Sequence, residues 1–336
     1  MGAWRAPNPC NVIGRVRHPG RKLAVTSGHQ TEEKDVTFMP DATMAEQVSK
    51  KPGFIAALDQ SGGSTPKALA QYGIESDAYS NDADMFRLMH EMRVRIITSP
   101  AFQSHEVLAA ILFEKTMDGT VGDVPVPTYL WKNCGIVPFL KIDKGLEEEK
   151  DGAQLMKPIL GLDTLLERAA KLGVYGTKER SVIRLANPEA IKVIVQQQFD
   201  IAAQVASHGL VPIMEPEVLV KSPEKADAEA ILAKELALGL DALPGDYPIM
   251  LKVTIPENPD LYADLMKHPR MQRVVALSGG YPLDQACQKL KANHGMIASF
   301  SRALVDDLRV SQSDQEFNAI LSKVVDRIYD ASVNKT

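Results

Sequence analysis

From residue 53 onward the chain alternates short apolar runs with longer stretches in which apolar residues recur every three or four positions. The short runs cover 53–59, 108–114, 137–143, 175–183, 211–218, 249–255, 274–278 and 296–301. They have the length and near-continuous apolar character of strands buried on both faces. The longer stretches predict helices over 84–97, 161–172, 188–208, 223–240, 282–292 and 313–329, with Met85, Leu88, Met89 and Met92 forming the buried stripe of the first. Asn187-Pro-Glu and Ser222-Pro-Glu each set a side-chain acceptor before a proline, which is helix-start chemistry. Eight strands with interleaved helices predict an α/β fold of the (β/α)8 TIM-barrel type, in a single domain. An open doubly wound sheet would want a dinucleotide-type glycine turn after its first strand, and Ser61-Gly-Gly-Ser64 lacks that spacing.

Residues 1–43 break the pattern. Arg5, Arg15, Arg17, Arg21 and Lys22 lie among Pro, Gly, Asn and Ser with neither helical nor strand periodicity. This stretch is expected to be a disordered N-terminal extension ahead of a barrel over 44–336. It has neither the apolar segment of a secretory signal nor the amphipathic helix of a transit peptide.

Composition narrows the function classes. The chain has 336 residues, 45% of them hydrophobic, and a net charge of −5. Such a balance gives no general attraction for nucleic acid, although a local basic cluster could hold a phosphorylated metabolite. Cys10, Cys134 and Cys287 are odd in number and far apart, as expected of reduced thiols in a cytoplasmic protein. No apolar run approaches the roughly 18 residues of a membrane span. His18, His29, His90, His105, His208, His268 and His294 fall in the extension, helices or connections, so no metal site is expected.

Barrel enzymes place their chemistry at the C-terminal ends of the strands, and there the runs become polar. Asp59, Glu114, Lys141 with Asp143 and Lys144, Lys178 with Arg180, Glu215 with Glu217, Lys252, Ser278-Gly279-Gly280 and Ser301-Arg302 stand in or at the ends of successive runs. Lys252 is the most telling, sitting inside Pro248-Ile-Met-Leu-Lys-Val-Thr-Ile-Pro256. Burial disfavours its ammonium form. Lowering its pKa from about 10.4 to roughly 7 would cost near 5 kcal/mol and give an amine able to attack a ketone carbon. A single such lysine could instead snorkel to water, and any one charge could be a strand-end salt bridge. Recurrence at most of the strands points to a site. A nucleophilic amine, several carboxylates, basic groups and a Ser-Gly-Gly turn that could offer N–H groups to phosphate form the inventory of a Schiff-base enzyme for phosphorylated sugars.

The motifs Gly53-Phe-Ile-Ala-Ala-Leu-Asp-Gln-Ser-Gly-Gly-Ser64, Phe139-Leu-Lys-Ile-Asp-Lys-Gly145, Val211-Pro-Ile-Met-Glu-Pro-Glu217, Met250-Leu-Lys252, Leu277-Ser-Gly-Gly280 and Ser299-Phe-Ser-Arg-Ala-Leu304 resemble class I fructose-1,6-bisphosphate aldolase, in its short bacterial form, from about Met44 to the C-terminus. The resemblance implies reversible cleavage of fructose 1,6-bisphosphate to dihydroxyacetone phosphate and glyceraldehyde 3-phosphate, without metal or cofactor. It implies no nucleic-acid or membrane partner, and it allows a homo-oligomer. Lys252 matches the Schiff-base lysine, and Glu215 the general acid/base of carbinolamine dehydration and proton transfer. Asp59 matches the acid that takes the C4 hydroxyl proton. Lys178 and Arg180 resemble the pair that supports imine formation and binds the C6-phosphate side. Lys141 resembles a substrate-contacting lysine, and Ser278, Gly279 and Arg302 the grip on the C1 phosphate. Glu217 falls with the catalytic set, and Ser64, Gly280 and Ser301 with the substrate-binding set. A different phosphosugar, such as fructose 1-phosphate or sedoheptulose bisphosphate, is the alternative substrate. Animal members end in a tyrosine linked to enamine protonation. This chain ends Tyr329-Asp-Ala-Ser-Val-Asn-Lys-Thr336, so the resemblance does not assign the final proton donor.

Overall fold

The computed structural model describes residues 40–336, and most of the expected N-terminal extension lies outside them. Its end does not follow the expectation. Asp41 caps helix α1 (Ala42–Lys50), accepting from the Thr43 and Met44 amides at 2.9 Å each. Met44 and Val48 of that helix are buried, so the folded unit begins before Met44.

Eight parallel strands follow: β1 (Phe54–Leu58), β2 (Val107–Leu112), β3 (Val137–Lys141), β4 (Gly176–Ile183), β5 (Val211–Val218), β6 (Ile249–Thr254), β7 (Met271–Leu277) and β8 (Ile297–Ala298). They pair in sequence order, and the Ala57 amide donates to the Phe300 carbonyl at 3.0 Å to bring the last strand back to the first. The result is a (β/α)8 barrel. The connecting helices are α2 (Thr65–Tyr72), α3 (Asp82–Ile97), α4 (Val126–Cys134), α5 (Leu162–Lys171), α6 (Pro188–Ser207), α7 (Lys225–Ala242), α8 (Leu283–Lys291) and α9 (Asp314–Val333). Predicted and observed boundaries agree within a few residues, except that β7 starts three residues early and β8 ends at Ala298. Helices α1, α2 and α4 have eight or nine residues each and were not among the expected helices.

The two-residue period of a strand sends alternate side chains into the barrel. Ile55 and Ala57, Val137 and Phe139, Val211 and Ile213, Met250, Val275 and Ile297 form one apolar cluster inside it. Met44 and Val48 of α1 close that cluster from the N-terminal end. Gln47 fastens the plug by donating to the Leu108 and Gly135 carbonyls, and Arg273 donates to the carbonyls of Val48 and Lys51. Gly176 is required in this layer, since a Cβ there would sit 2.1 Å from the Val211 carbonyl and 2.7 Å from the Phe139 ring. Each buried aliphatic or aromatic side chain contributes about 1.5–3 kcal/mol, which gives the polar upper layer a rigid floor.

Starting the chain at Pro40 should leave thermal stability unchanged. Starting it at Met44 removes the cap and should lower stability by about 0.5–2 kcal/mol, a difference that denaturant melts of the two truncations would detect. Equal melts would show the cap to be irrelevant.

On the outer face of β4, Thr177, Glu179 and Ser181 alternate with the inward Lys178 and Arg180 and are all buried. Burial, reinforced by Asp143 and Glu215 against the pull of Lys178, raises the Glu179 carboxyl well above its ordinary value. The native state then holds a proton that the unfolded chain releases above about pH 4.3. Stability from this group is therefore full below that pH and is lost as pH rises toward the folded pKa, at up to about 1.4 kcal/mol per pH unit. Glu179→Gln has no such proton, so its stability relative to the parent should rise between pH 5 and 8. Parallel stability curves would contradict this.

Candidate active site

Above the apolar floor the same inward positions turn polar. Ile55 and Ala57 are followed by Asp59, Val137 and Phe139 by Lys141, and Val211 and Ile213 by Glu215 and Glu217. Met250 is followed by Lys252, and Ile297 by Ser299 and Ser301. These residues line a cavity of about 780 Å³, together with Ser64, Asp143, Lys178, Arg180, Ser278, Gly279 and Arg302. Every residue singled out for the site in the sequence lines it except Gly280, which lies at its edge beside Arg302. A Cβ on Gly280 would come within 3.2 Å of that guanidinium. Gly279 and Gly280 have φ of 60° and 104°, a left-handed pair open to glycine without strain. A Cβ on Gly279 would strike Val220 at 2.4 Å.

The charges form a chain across the cavity floor. Lys252 Nζ is 3.2 Å from Glu215 Oε1, and Glu215 Oε2 is 2.9 Å from Lys178 Nζ. Lys178 Nζ is in turn 2.8 Å from Asp59 Oδ2 and 3.6 Å from Asp143 Oδ2. Asp143 also holds Lys141 at 2.7 Å, and Arg180 pairs with Glu217 at 2.7 Å. Lys252, Lys178 and Glu215 are 3%, 2% and 4% exposed, so water screens these charges little.

Burial works against the charge on Lys178. The carboxylates of Asp59, Glu215 and Asp143 outweigh it and raise Lys178 well above the ordinary lysine value. Burial likewise opposes ionisation of Asp59, but Lys178 and Lys252 hold its carboxyl well below the usual carboxylate range. Arg180 is raised as well, its burial overcome by Glu217, Glu215 and Asp143. The site thus keeps a fixed cation, Lys178, between carboxylates, one of which also faces Lys252.

Three features escaped the residue-by-residue expectation. Asp143 has the same inward parity as Lys141 but was not placed in the site, although it bridges both Lys141 and Lys178. Glu114 does not end a strand; it opens a short helical turn and is tied at the rim by Lys144 at 2.5 Å and by Arg168. Gln60 lines the cavity and donates to Ser301 at 2.8 Å, joining the end of β1 to the end of β8. The chain's end lies elsewhere. Lys335 Nζ donates to the carbonyls of Leu290, Met296 and Ala331, and the Thr336 amide to that of Lys291. Met296 stands just before β8, so the C-terminus is fastened at the opposite end of the barrel from the cavity. Tyr329, on α9, packs against the core.

Among the described residues no group of three or more His, Cys, Asp or Glu could hold a metal ion. None of the helices described is long and apolar enough to cross a membrane. Cys134 and Cys287 are both free and buried.

The chain is similar to known proteins. The family model for fructose-bisphosphate aldolase class-I matches residues 42–252. A Synechocystis sp. protein named fructose-bisphosphate aldolase class 1 is 53% identical over 298 residues, covering 89% of this chain and 99% of the relative. A Porphyromonas gingivalis protein of the same name is 53% identical over 288 residues, covering 86% and 98%. In architecture the chain is similar to the fructose-bisphosphate aldolase of Plasmodium falciparum, solved with TRAP and a small-molecule inhibitor. There the TM-score is 0.74 at 21% identity, over 88% of this chain and 94% of that one. The chain belongs to the class I fructose-bisphosphate aldolase family.

Proposed function

We propose that this protein cleaves fructose 1,6-bisphosphate reversibly to dihydroxyacetone phosphate and glyceraldehyde 3-phosphate through an imine on Lys252. The observation that carries the proposal is the buried Lys252–Glu215 pair at 3.2 Å, with Lys178 on the other carboxylate oxygen. The free amine of Lys252 attacks C2 of the ketose. Glu215 relays the proton shed by the attacking nitrogen to the C2 oxygen, and a second proton, taken up from solvent and delivered through Glu215, lets the resulting hydroxyl leave as water and gives the iminium. Asp59, ionised through the neutral range, takes the C4 hydroxyl proton as the C3–C4 bond breaks. The bond's electron pair passes into the iminium, giving an enamine and the free aldehyde. Protonation at C3 and hydrolysis then release dihydroxyacetone phosphate and restore the amine. Positioned acid–base groups of this kind typically accelerate a step by about 10²–10⁴-fold.

The ring order of the strands supports a substrate with two phosphates. Ser278, Gly279, Gly280, Ser301 and Arg302 follow β7 and β8, beside the Ser61–Ser64 turn after β1, and would take the C1 phosphate. Lys141 and Arg180 stand across the cavity on β3 and β4 and would face the C6 end. Lys178 is the fixed cation of the imine step, and Glu217 orients Arg180 through their 2.7 Å contact. The chemistry needs an electron sink, which the iminium supplies, so no metal is called for.

Borohydride added with dihydroxyacetone phosphate should fix that substrate's mass on the peptide containing Lys252 and abolish turnover in parallel. Lys252→Arg keeps the charge but cannot form a productive imine, so it should fold, escape labelling and be inactive. Label on Lys178 or Lys141 instead would move the chemistry to another strand. Incubation with EDTA should leave the rate of cleavage unchanged. Loss of activity that zinc restores would reverse the assignment of reaction class.

A further inference from the structure

Arg93 has no part in the chemistry above, yet it is the largest fully buried side chain among the described residues. It comes from α3, and the structure leads it to neutral partners. Nη1 donates to the Thr116 hydroxyl at 2.7 Å, and Nη2 donates to the Gln60 carbonyl. The Phe113 ring lies 5.8 Å from its guanidinium carbon. A charged group at 2% exposure with no solvation from water is expensive to keep, and surface arginines on α3 would cost nothing. Its placement is what requires explanation.

The Gln60 carbonyl belongs to the residue that follows Asp59, and the Gln60 side chain donates to Ser301 at 2.8 Å. Thr116 lies in the turn that carries Glu114 at the cavity rim. One guanidinium therefore joins α3, the end of β1 and the turn after β2, and through Gln60 the end of β8. The geometry points to Arg93 as a positioning residue for the cleavage step: it fixes the peptide after Asp59, and so the place of that carboxylate beneath the substrate's C4 hydroxyl. The two groups also sense each other's charge, since burial pushes the Arg93 guanidinium down to about 10 against the opposing pull of Asp59. Asp59 faces Lys178 of β4, Lys252 of β6 and Lys141 of β3 as well. Those cations set its charge, whereas Arg93 sets where its backbone stands.

This role rests on the proposed part of Asp59 in C3–C4 cleavage, and it separates two steps that a general loss of structure would not. Imine formation uses Lys252, Glu215 and Lys178, none of which Arg93 touches. Cleavage uses Asp59. Arg93→Lys retains a cation but cannot span both acceptors in a fixed fork, and Thr116→Val removes one arm only. With dihydroxyacetone phosphate and borohydride, both variants should label the Lys252 peptide to the parental extent. Cleavage of fructose 1,6-bisphosphate by Arg93→Lys should fall by about 10- to 100-fold in kcat, the scale of a displacement near 1 Å at a reacting group. KM should change less, and Thr116→Val should show the same split in weaker form. Parental kcat in Arg93→Lys would overturn the proposal. So would parallel loss of labelling, cleavage and melting temperature in both variants, because that marks a structural role alone. Failure of the parent itself to label at Lys252 would instead defeat the imine chemistry and leave a different experimental signature.

Discussion

The structure depends on one constraint, that ionised groups cannot be taken out of water singly. Lys178 is almost completely buried and is held by three carboxylates, from β1, the end of β3 and β5. Remove it, and Asp59 loses its ion-pair partner and Glu215 one of its two, in a place water scarcely reaches. A buried pair broken on one side typically costs about 3–5 kcal/mol, so the network is tied to the fold as much as to the reaction. Lys252 makes its close contact with the network through Glu215. The group proposed as nucleophile is thereby placed at the end of the chain of charges.

Such a network needs a support that does not move. The lower interior of the barrel provides it, with α1 closing the bottom and Gly176 leaving room for the Phe139 ring. Close packing makes that layer stiff. The upper positions inherit their direction from it, because Asp59, Lys141, Glu215 and Lys252 each stand two residues beyond an inward apolar side chain on the same strand. The cavity mouth is assembled differently. Its turns are joined by single hydrogen bonds, such as Gln60 to Ser301 and Arg93 to the Gln60 carbonyl. A C-terminus pinned by Lys335 at the far end of the barrel leaves that mouth to the strand-end residues and their turns.

Much of this was legible in the residues alone, for reasons of range. Burial on both faces makes a strand apolar along its length, so the eight runs and their order could be found locally, and a charge inside such a run stands out. Lys252, Glu215, Asp59 and Lys178 were visible on those grounds. Helices α1, α2 and α4 were not, and Asp41 was assigned to a tail because a cap is recognised by the helix it starts.

What only the tertiary structure decided is which charges meet. Asp143 has the parity of Lys141, but nothing near it in the chain says that it also reaches Lys178. Glu114 was read at the end of one apolar run and Lys178 inside another, yet one is tied at the rim by Lys144 and Arg168 and the other is locked in the floor. Arg93 reads as one of several basic residues on an amphipathic helix, and its partner Gln60 is 33 positions away. The sequence by itself determined which side chains point inward, because alternation along a strand is a property of neighbouring residues. Pairing between strands was settled only when the sheet closed, since Coulomb forces and hydrogen bonds act over a few ångströms of space and take no account of distance along the chain.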